Sequence, residues 1–187
     1  MDEQQAIQQL KQGDISGLEY LVQRHQVKAL RTAFLITRDH GLAEDVVQEA
    51  FIRVFHAIHR FDGRLPFEPW FLRSVVNASV KILQRSARQV EVRNDADEGE
   101  WVQFLSDDAS VEAHVESSEF QRQVWDAMQK LSPRQRAVII QRYYLEMNEK
   151  EMAAQAGVAR GTVKWLLNAA RERLRGLLGD EHRRSKK

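Results

Sequence analysis

Residues Leu131 to Leu178 constrain this chain more than any other stretch. Ser132-Pro133-Arg134-Gln135 is a helix start, with Ser at the cap, Pro at the first helical position and Gln three residues after the cap. Asn148-Glu149-Lys150-Glu151 is a second start of the same kind. The segment that follows ends at Gly157, a residue able to take the left-handed conformation of a sharp turn. A further helix is then predicted, with Val163, Leu167, Ala170, Leu174 and Leu177 at three-to-four spacing and Lys164, Arg171, Arg173 and Arg175 between them. Short helix, glycine turn and basic amphipathic helix form the outline of a helix-turn-helix. Such a module lays its second helix in the major groove, so the chain is expected to bind DNA.

A length of 187 residues allows one large or two small domains, and 43% hydrophobic residues suffice for packed cores. No apolar run approaches a membrane span, and Met1-Asp2-Glu3-Gln4-Gln5 is too acidic for a secretory signal. The absence of Cys excludes disulfides and Cys-based metal sites. A cytoplasmic protein is the expectation, with no membrane insertion.

The net charge of +1 conceals an asymmetry. Residues 1–88 carry 12 Lys and Arg against 10 Asp and Glu; residues 89–119 carry 1 against 10, a net of −9; residues 120–187 carry 15 against 7, a net of +8. A basic excess on the helix-turn-helix outline suits nucleic acid. Asn94 to Glu100 and Ser106 to Ser110 combine low hydrophobicity with like charge, which reads as a flexible acidic linker holding a small apolar island at Trp101, Phe104 and Leu105. The expected division is 1–88 for a first module, 89–119 for the linker, 120–180 for the helix-turn-helix module and 181–187 for a basic tail.

The first module reads as all-α. Leu10, Leu18, Leu21 and Val22 fit a helix pair broken at Gly13-Asp14, and a separate helix is predicted from about His25 to Ile36. The next, about Leu42 to Ile58, has a stripe of Val46, Val47, Ala50, Phe51, Val54, Phe55 and Ile58. Phe61 to Pro66 is a loop by its Gly and Pro, and the last helix runs from about Phe67 to Arg88. On that helix Arg73, Asn77, Lys81 and Arg85 recur every fourth residue, along one slowly drifting face. Phe67, Trp70 and Phe71 stand beside them. Two readings of these rings stay open: core packing, or a platform on which single-stranded bases stack while cations follow phosphates.

These motifs together resemble bacterial sigma factors of the extracytoplasmic-function group, within the sigma-70 family. Gly13-Asp14, Leu18 to Leu21 and Arg24-His25 resemble the opening helices, and Glu44 to Phe55 resembles the signature segment of region two. Phe61 to Arg73 with Asn77 resembles the promoter-melting segment. Leu131 to Arg136, Gly161 to Lys164 and Ala170 to Arg175 resemble region four.

The resemblance implies two small helical domains and three partners: core RNA polymerase, promoter DNA and an anti-sigma factor. It implies no cofactor, small-molecule substrate or enzymatic activity. Asp45, Gln48, Glu49 and Arg53 match the surface that grips the polymerase clamp. Phe61, Phe67, Trp70, Arg73, Asn77, Lys81 and Arg85 match the element that melts and reads the minus-ten strand, with Asn77 suited to a base edge by its paired donor and acceptor. Arg160, Thr162, Lys164, Trp165, Asn168, Arg171 and Arg173 match the reader of the minus-thirty-five element.

The chain departs from the group's pattern at four places. Trp165-Leu166 stands where Ser-Arg is usual, Ala169 where Arg is common, and Ala159 where a Ser cap is common. The indole shifts readout toward apolar contact such as thymine methyls, or extends a surface for an inhibitory partner.

Two other function classes compete. A helix-turn-helix repressor would need a dimerisation surface in place of the region-two signature. An enzyme would need more than His56 and His59, which are i,i+3 without a third metal ligand, and more than the carboxylates Glu44, Asp45 and Glu49, which have no His or metal partner.

Overall fold

The computed structural model describes the backbone of residues 1–86 and 114–184 and the side chains of residues 1–85 and 121–179. Among the described residues all regular structure is helical. The chain divides into two units, Met1–Arg88 and Gln89–Lys187. The acidic stretch with Trp101, Phe104 and Leu105 lies outside the described residues.

In the first unit, α1 (Glu3–Lys11) begins with a capping box between Asp2 and Gln5. It ends before Gly13, whose φ of +89° turns the chain into α2 (Ser16–Thr37). Gly17 is where the two helices touch: a Cβ there would lie 2.2 Å from the Ala6 carbonyl oxygen. Only hydrogen fits, so α1 packs directly on the α2 backbone. One continuous helix replaces the two segments expected on either side of His25. Nothing between Leu18 and Thr37 breaks a helix, and His25 is itself buried and paired. Arg38, at φ 64°, reverses the chain, and the Asp39 side chain accepts from the Leu42 N–H at 2.8 Å to start α3 (His40–Ala57). A short 3-10 turn, Ile58–Arg60, leads to the Phe61–Pro66 loop and α4 (Phe67–Ser86).

The core of this unit is aromatic at its centre. Phe71 lies 4.4 Å from Phe51 and stacks on Phe67 at 5.7 Å, centroid to centroid. Leu10, Leu21, Val54 and Val75 are also buried in this unit. The stripe on α3 is narrower than the sequence suggests, because Phe55 is exposed while Val54 is buried. At 100° per residue the buried residues from Ala43 to Val54 span an arc of about 140°, and Phe55 falls outside it.

Among the described residues the second unit has four helices: α5 (His114–Gln129), α6 (Pro133–Tyr143), α7 (Glu149–Ala156) and α8 (Arg160–Arg184). α5 begins inside the stretch read as linker, and α8 continues into the stretch read as a tail. The local signals read from sequence all operate. Ser132 and Gln135 form a capping box on α6, Asn148 and Glu151 form another on α7, and Gly157 ends α7 at φ +66°. Ala159 offers α8 only its carbonyl, to Thr162 and Val163 at 3.0 and 3.4 Å, with no side-chain cap. Met152 of α7 and Val163, Leu167 and Ala170 of α8 are buried where α8 packs on α6 and α7.

One core group is charged. Arg136 donates from Nε to the Met128 carbonyl at 3.1 Å, and from Nη2 to those of Gln129 and Leu131 at 3.2 Å each. Burial pushes its guanidinium down to about 10, so it stays charged at neutral pH. These carbonyls lie at and beyond the C-terminal end of α5, where helix geometry leaves acceptors without partners.

Candidate nucleic-acid and polymerase surfaces

On α3, Asp45, Gln48 and Glu49 are exposed, and Ile52, half exposed, lies among them. At 100° per residue these four fall within an arc of about 100°. Phe55 borders this arc, so the face mixes two apolar side chains with carboxylates and an amide. Sequence reasoning missed Ile52 and placed Phe55 in the core, since periodicity assigns apolar residues inward by default. Arg53 pairs with Glu49 one turn earlier but projects toward the α4 side of the helix.

Arg53 there meets residues of α4. Arg53, Val54 and Ala57 of α3 and Trp70, Arg73, Ser74 and Asn77 of α4 line an open groove of about 290 Å³. Arg73, Asn77, Lys81 and Arg85 are all exposed along α4. The groove therefore joins a half-buried indole, two guanidiniums and a carboxamide. That combination offers a stacking surface, phosphate partners and a bidentate edge reader in one place.

The rings of Phe61 and Phe67 do not belong to that surface. Phe61 is 3% and Phe67 0% exposed, which corrects their expected place among the strand-contacting groups. Trp70 packs on both, at 4.9 and 5.7 Å, and of this cluster it alone reaches the surface. Rings at the first turn of an amphipathic helix are drawn into the core by the apolar area they bury. The loop between them is fixed from both sides. Lys11 donates to the Phe61 carbonyl at 2.8 Å, and Arg64 grips the Asp62 carboxylate through Nε and Nη2. That grip holds the Asp62 carboxyl below the usual carboxylate range. Leu65, in the same loop, is left exposed.

Beneath the start of α4 sits a polar cluster that sequence reasoning did not single out. His25 Nε2 lies 2.8 Å from Glu3, and its Nδ1 lies 3.5 Å from Glu68. Arg24 pairs with Glu3 at 3.3 Å and Lys28 with Glu68. The cluster fastens α1 and the first turn of α4 to α2. No local pattern marks it, since its members come from three helices.

In the second unit, Arg160, Thr162, Lys164, Trp165, Asn168 and Arg173 are exposed on α8, and Arg171 is partly covered. They do not form one stripe. Lys164, Asn168 and Arg171 share one flank, while Thr162 and Arg173 occupy the other, about 180° from Lys164. Trp165 projects between the flanks, opposite the Val163–Leu167–Ala170 seam. A helix lying in a groove has a phosphate backbone on each side, so cations on both flanks suit that position. Two anchors hold the first flank. Arg160 pairs with Glu149 at 3.4 Å, and Arg171 Nε donates to the Tyr143 hydroxyl at 2.9 Å, with its guanidinium 5.7 Å from that ring's centroid. Tyr143 is a contributor missed in the sequence, because it lies on a different helix from the basic residues it orients.

Comparison with known proteins matches both units. A family model described as Sigma-70 region 2 covers residues 21–89, and one described as Sigma-70, region 4 covers residues 121–174. The ECF RNA polymerase sigma factor SigW of Bacillus subtilis is 28% identical over 178 residues, 93% of this chain and 95% of its own. The chain belongs to the sigma-70 family, in its extracytoplasmic-function group. Two solved structures share the fold of this sigma factor. One is CnrH in complex with the cytosolic domain of CnrY, with a TM-score of 0.64 at 23% identity over 96% of this chain and 99% of that one. The other is the sigma factor RpoE in complex with the anti-sigma factor NepR from Bartonella quintana, with a TM-score of 0.61 at 22% identity over 86% and 98%. No described helix of this sigma factor is long and apolar enough to cross a membrane.

Proposed function

We propose that this sigma factor brings core RNA polymerase to specific promoters and assists in opening them, acting in the cytoplasm and leaving the chemistry of RNA synthesis to the polymerase. The observation that carries the reading is the pairing of a region-two match and a region-four match in one chain, each with an exposed face of cations and polar readers.

The roles divide by physical type. Asp45, Gln48 and Glu49, with Ile52 and Phe55 among and beside them, form the polymerase-binding face of α3. An apolar centre ringed by charge is the usual anatomy of a helix-on-helix contact. Arg53 lies at the edge between that face and the α3–α4 groove. In the groove, Asn77 reads the edge of an extruded minus-ten base and Trp70 stacks on it. Extrusion costs a few kcal/mol, so a pocket that stacks and hydrogen-bonds must offset it. Arg73, Lys81 and Arg85 track the phosphates of the same strand and position it without specifying sequence. In the second unit α8 enters the major groove of the minus-thirty-five duplex, with Lys164 and Asn168 toward base edges and Arg160, Thr162, Arg171 and Arg173 toward the backbones. An anti-sigma factor, as in the RpoE–NepR complex, is proposed to regulate the chain by covering these faces.

Replacing Asp45 and Gln48 together with Ala tests the polymerase face. Both are exposed on α3, so the helical circular dichroism should be unchanged. Affinity for core polymerase should fall about tenfold or more, the equivalent of about 1.4 kcal/mol, in a fluorescence titration. An unchanged titration would reject this surface.

A further inference from the structure

Trp165 is the most exposed large apolar side chain among the described residues, at 70%. Its place makes that exposure informative. It stands on the side of α8 opposite the buried seam, with Lys164 and Asn168 on one side of it and Thr162 on the other. An indole in a cationic setting faces an anionic partner with an apolar element. The major groove is such a partner: its phosphates are anionic, and the only apolar group its base edges present is the C5-methyl of thymine. We infer that Trp165 is a specificity-determining residue that selects thymine in the duplex read by α8, through contact of the indole with the C5-methyl group. This inference rests on the reading of α8 as a duplex-DNA reader and adds the chemical group that it recognises.

The neighbouring residues favour this assignment over a protein contact. Ala169, one turn after Trp165, is small and leaves the indole free to lean along the helix. Leu166 is partly covered by the fold, so it does not join Trp165 in a broad apolar face. A single exposed indole bordered by Gly161, Thr162, Lys164, Asn168 and Ala169 is a poor centre for a protein interface. Such an interface needs an apolar core wide enough to exclude water.

The test deletes one methyl group from the DNA. The upstream element bound by holoenzyme, the full chain with core polymerase, is first obtained by selection from randomised duplexes. Each thymine of that element is then replaced in turn by uracil, which lacks only the C5-methyl. At the contacted position the parent holoenzyme should lose about fourfold in affinity, the value expected for one buried methyl group. The Trp165→Ala holoenzyme should bind the thymine and uracil duplexes equally, and Trp165→Phe should keep part of the discrimination. An element without thymine, or a Trp165→Ala chain that still prefers thymine over uracil as strongly as the parent, overturns the inference. A parent holoenzyme that selects no upstream sequence at all would instead overturn the reading of α8 beneath it. In that case Lys164→Ala would also leave duplex affinity unchanged.

Discussion

Phe71→Ala should lower the stability of the first unit by about 3–5 kcal/mol, the cost of deleting a large core ring whose surroundings cannot collapse. Phe71 is completely buried, and its neighbours Phe51 and Phe67 are rigid rings at 4.4 and 5.7 Å. Rings cannot flow into a void as Met or Leu side chains can, so most of the cavity should persist. A loss of this size approaches the whole stability of a small domain, and the effect should reach function. The α3–α4 groove rests on this cluster through Trp70, which packs on Phe67. Urea unfolding of parent and variant measures the difference. A shift below about 1 kcal/mol would mean that the ring cluster does not carry the core.

Arg136→Met should cost the second unit about 3 kcal/mol or more. The substitution keeps part of the aliphatic stem and removes the donors: the carbonyls of Gln129 and Leu131 lose the guanidinium, while that of Met128 keeps the Leu131 N–H at 3.3 Å. Each buried acceptor left unpaired costs about 1–3 kcal/mol. Arg136→Lys should recover only part of this, because a single ammonium cannot match a planar fork to carbonyls from several residues. The sign of the pH dependence also follows. Burial lowers the folded guanidinium to about 10, so the unfolded chain holds the proton more tightly. This group should then add no pH dependence to stability near neutral pH, and stability should rise as pH increases from about 10 toward the ordinary arginine range. Equal unfolding midpoints for the parent and Arg136→Met chains would show that water replaces the guanidinium without cost.

The elements legible in the sequence are those with local causes. Ser132, Asn148 and Gly157 act on backbone groups within one turn, so their roles follow from residue type and spacing. The core stripe of α3 is legible because Val47, Ala50, Phe51 and Val54 repeat at helical period. What was not legible depends on partners far along the chain. His25 seemed to interrupt α2, yet Glu3 and Glu68 from two other helices make its burial tolerable. The same holds for Arg136, whose residue type gives no sign of the buried place it takes in the fold. Composition windows hid the start of α5, because net charge is insensitive to helical phase. For the reading surfaces, residue type was legible and exposure was not. Arg73, Asn77, Lys81 and Arg85 are exposed as their spacing suggests, while Phe61 and Phe67 turn inward and Phe55 turns outward. An aromatic ring beside a cationic stripe has two sensible places, and only packing chooses between them.

This chain should enable polymerase to open promoters, which neither a repressor nor a free DNA-binding module does. Permanganate oxidises unpaired thymines, so it reports opening directly. On a duplex promoter selected by the holoenzyme, core polymerase plus this chain should give reactive thymines confined to the minus-ten region and the start site. Core polymerase alone and the chain alone should give none. A chain that protects the duplex from nuclease yet produces no reactive thymine with core polymerase would contradict the account.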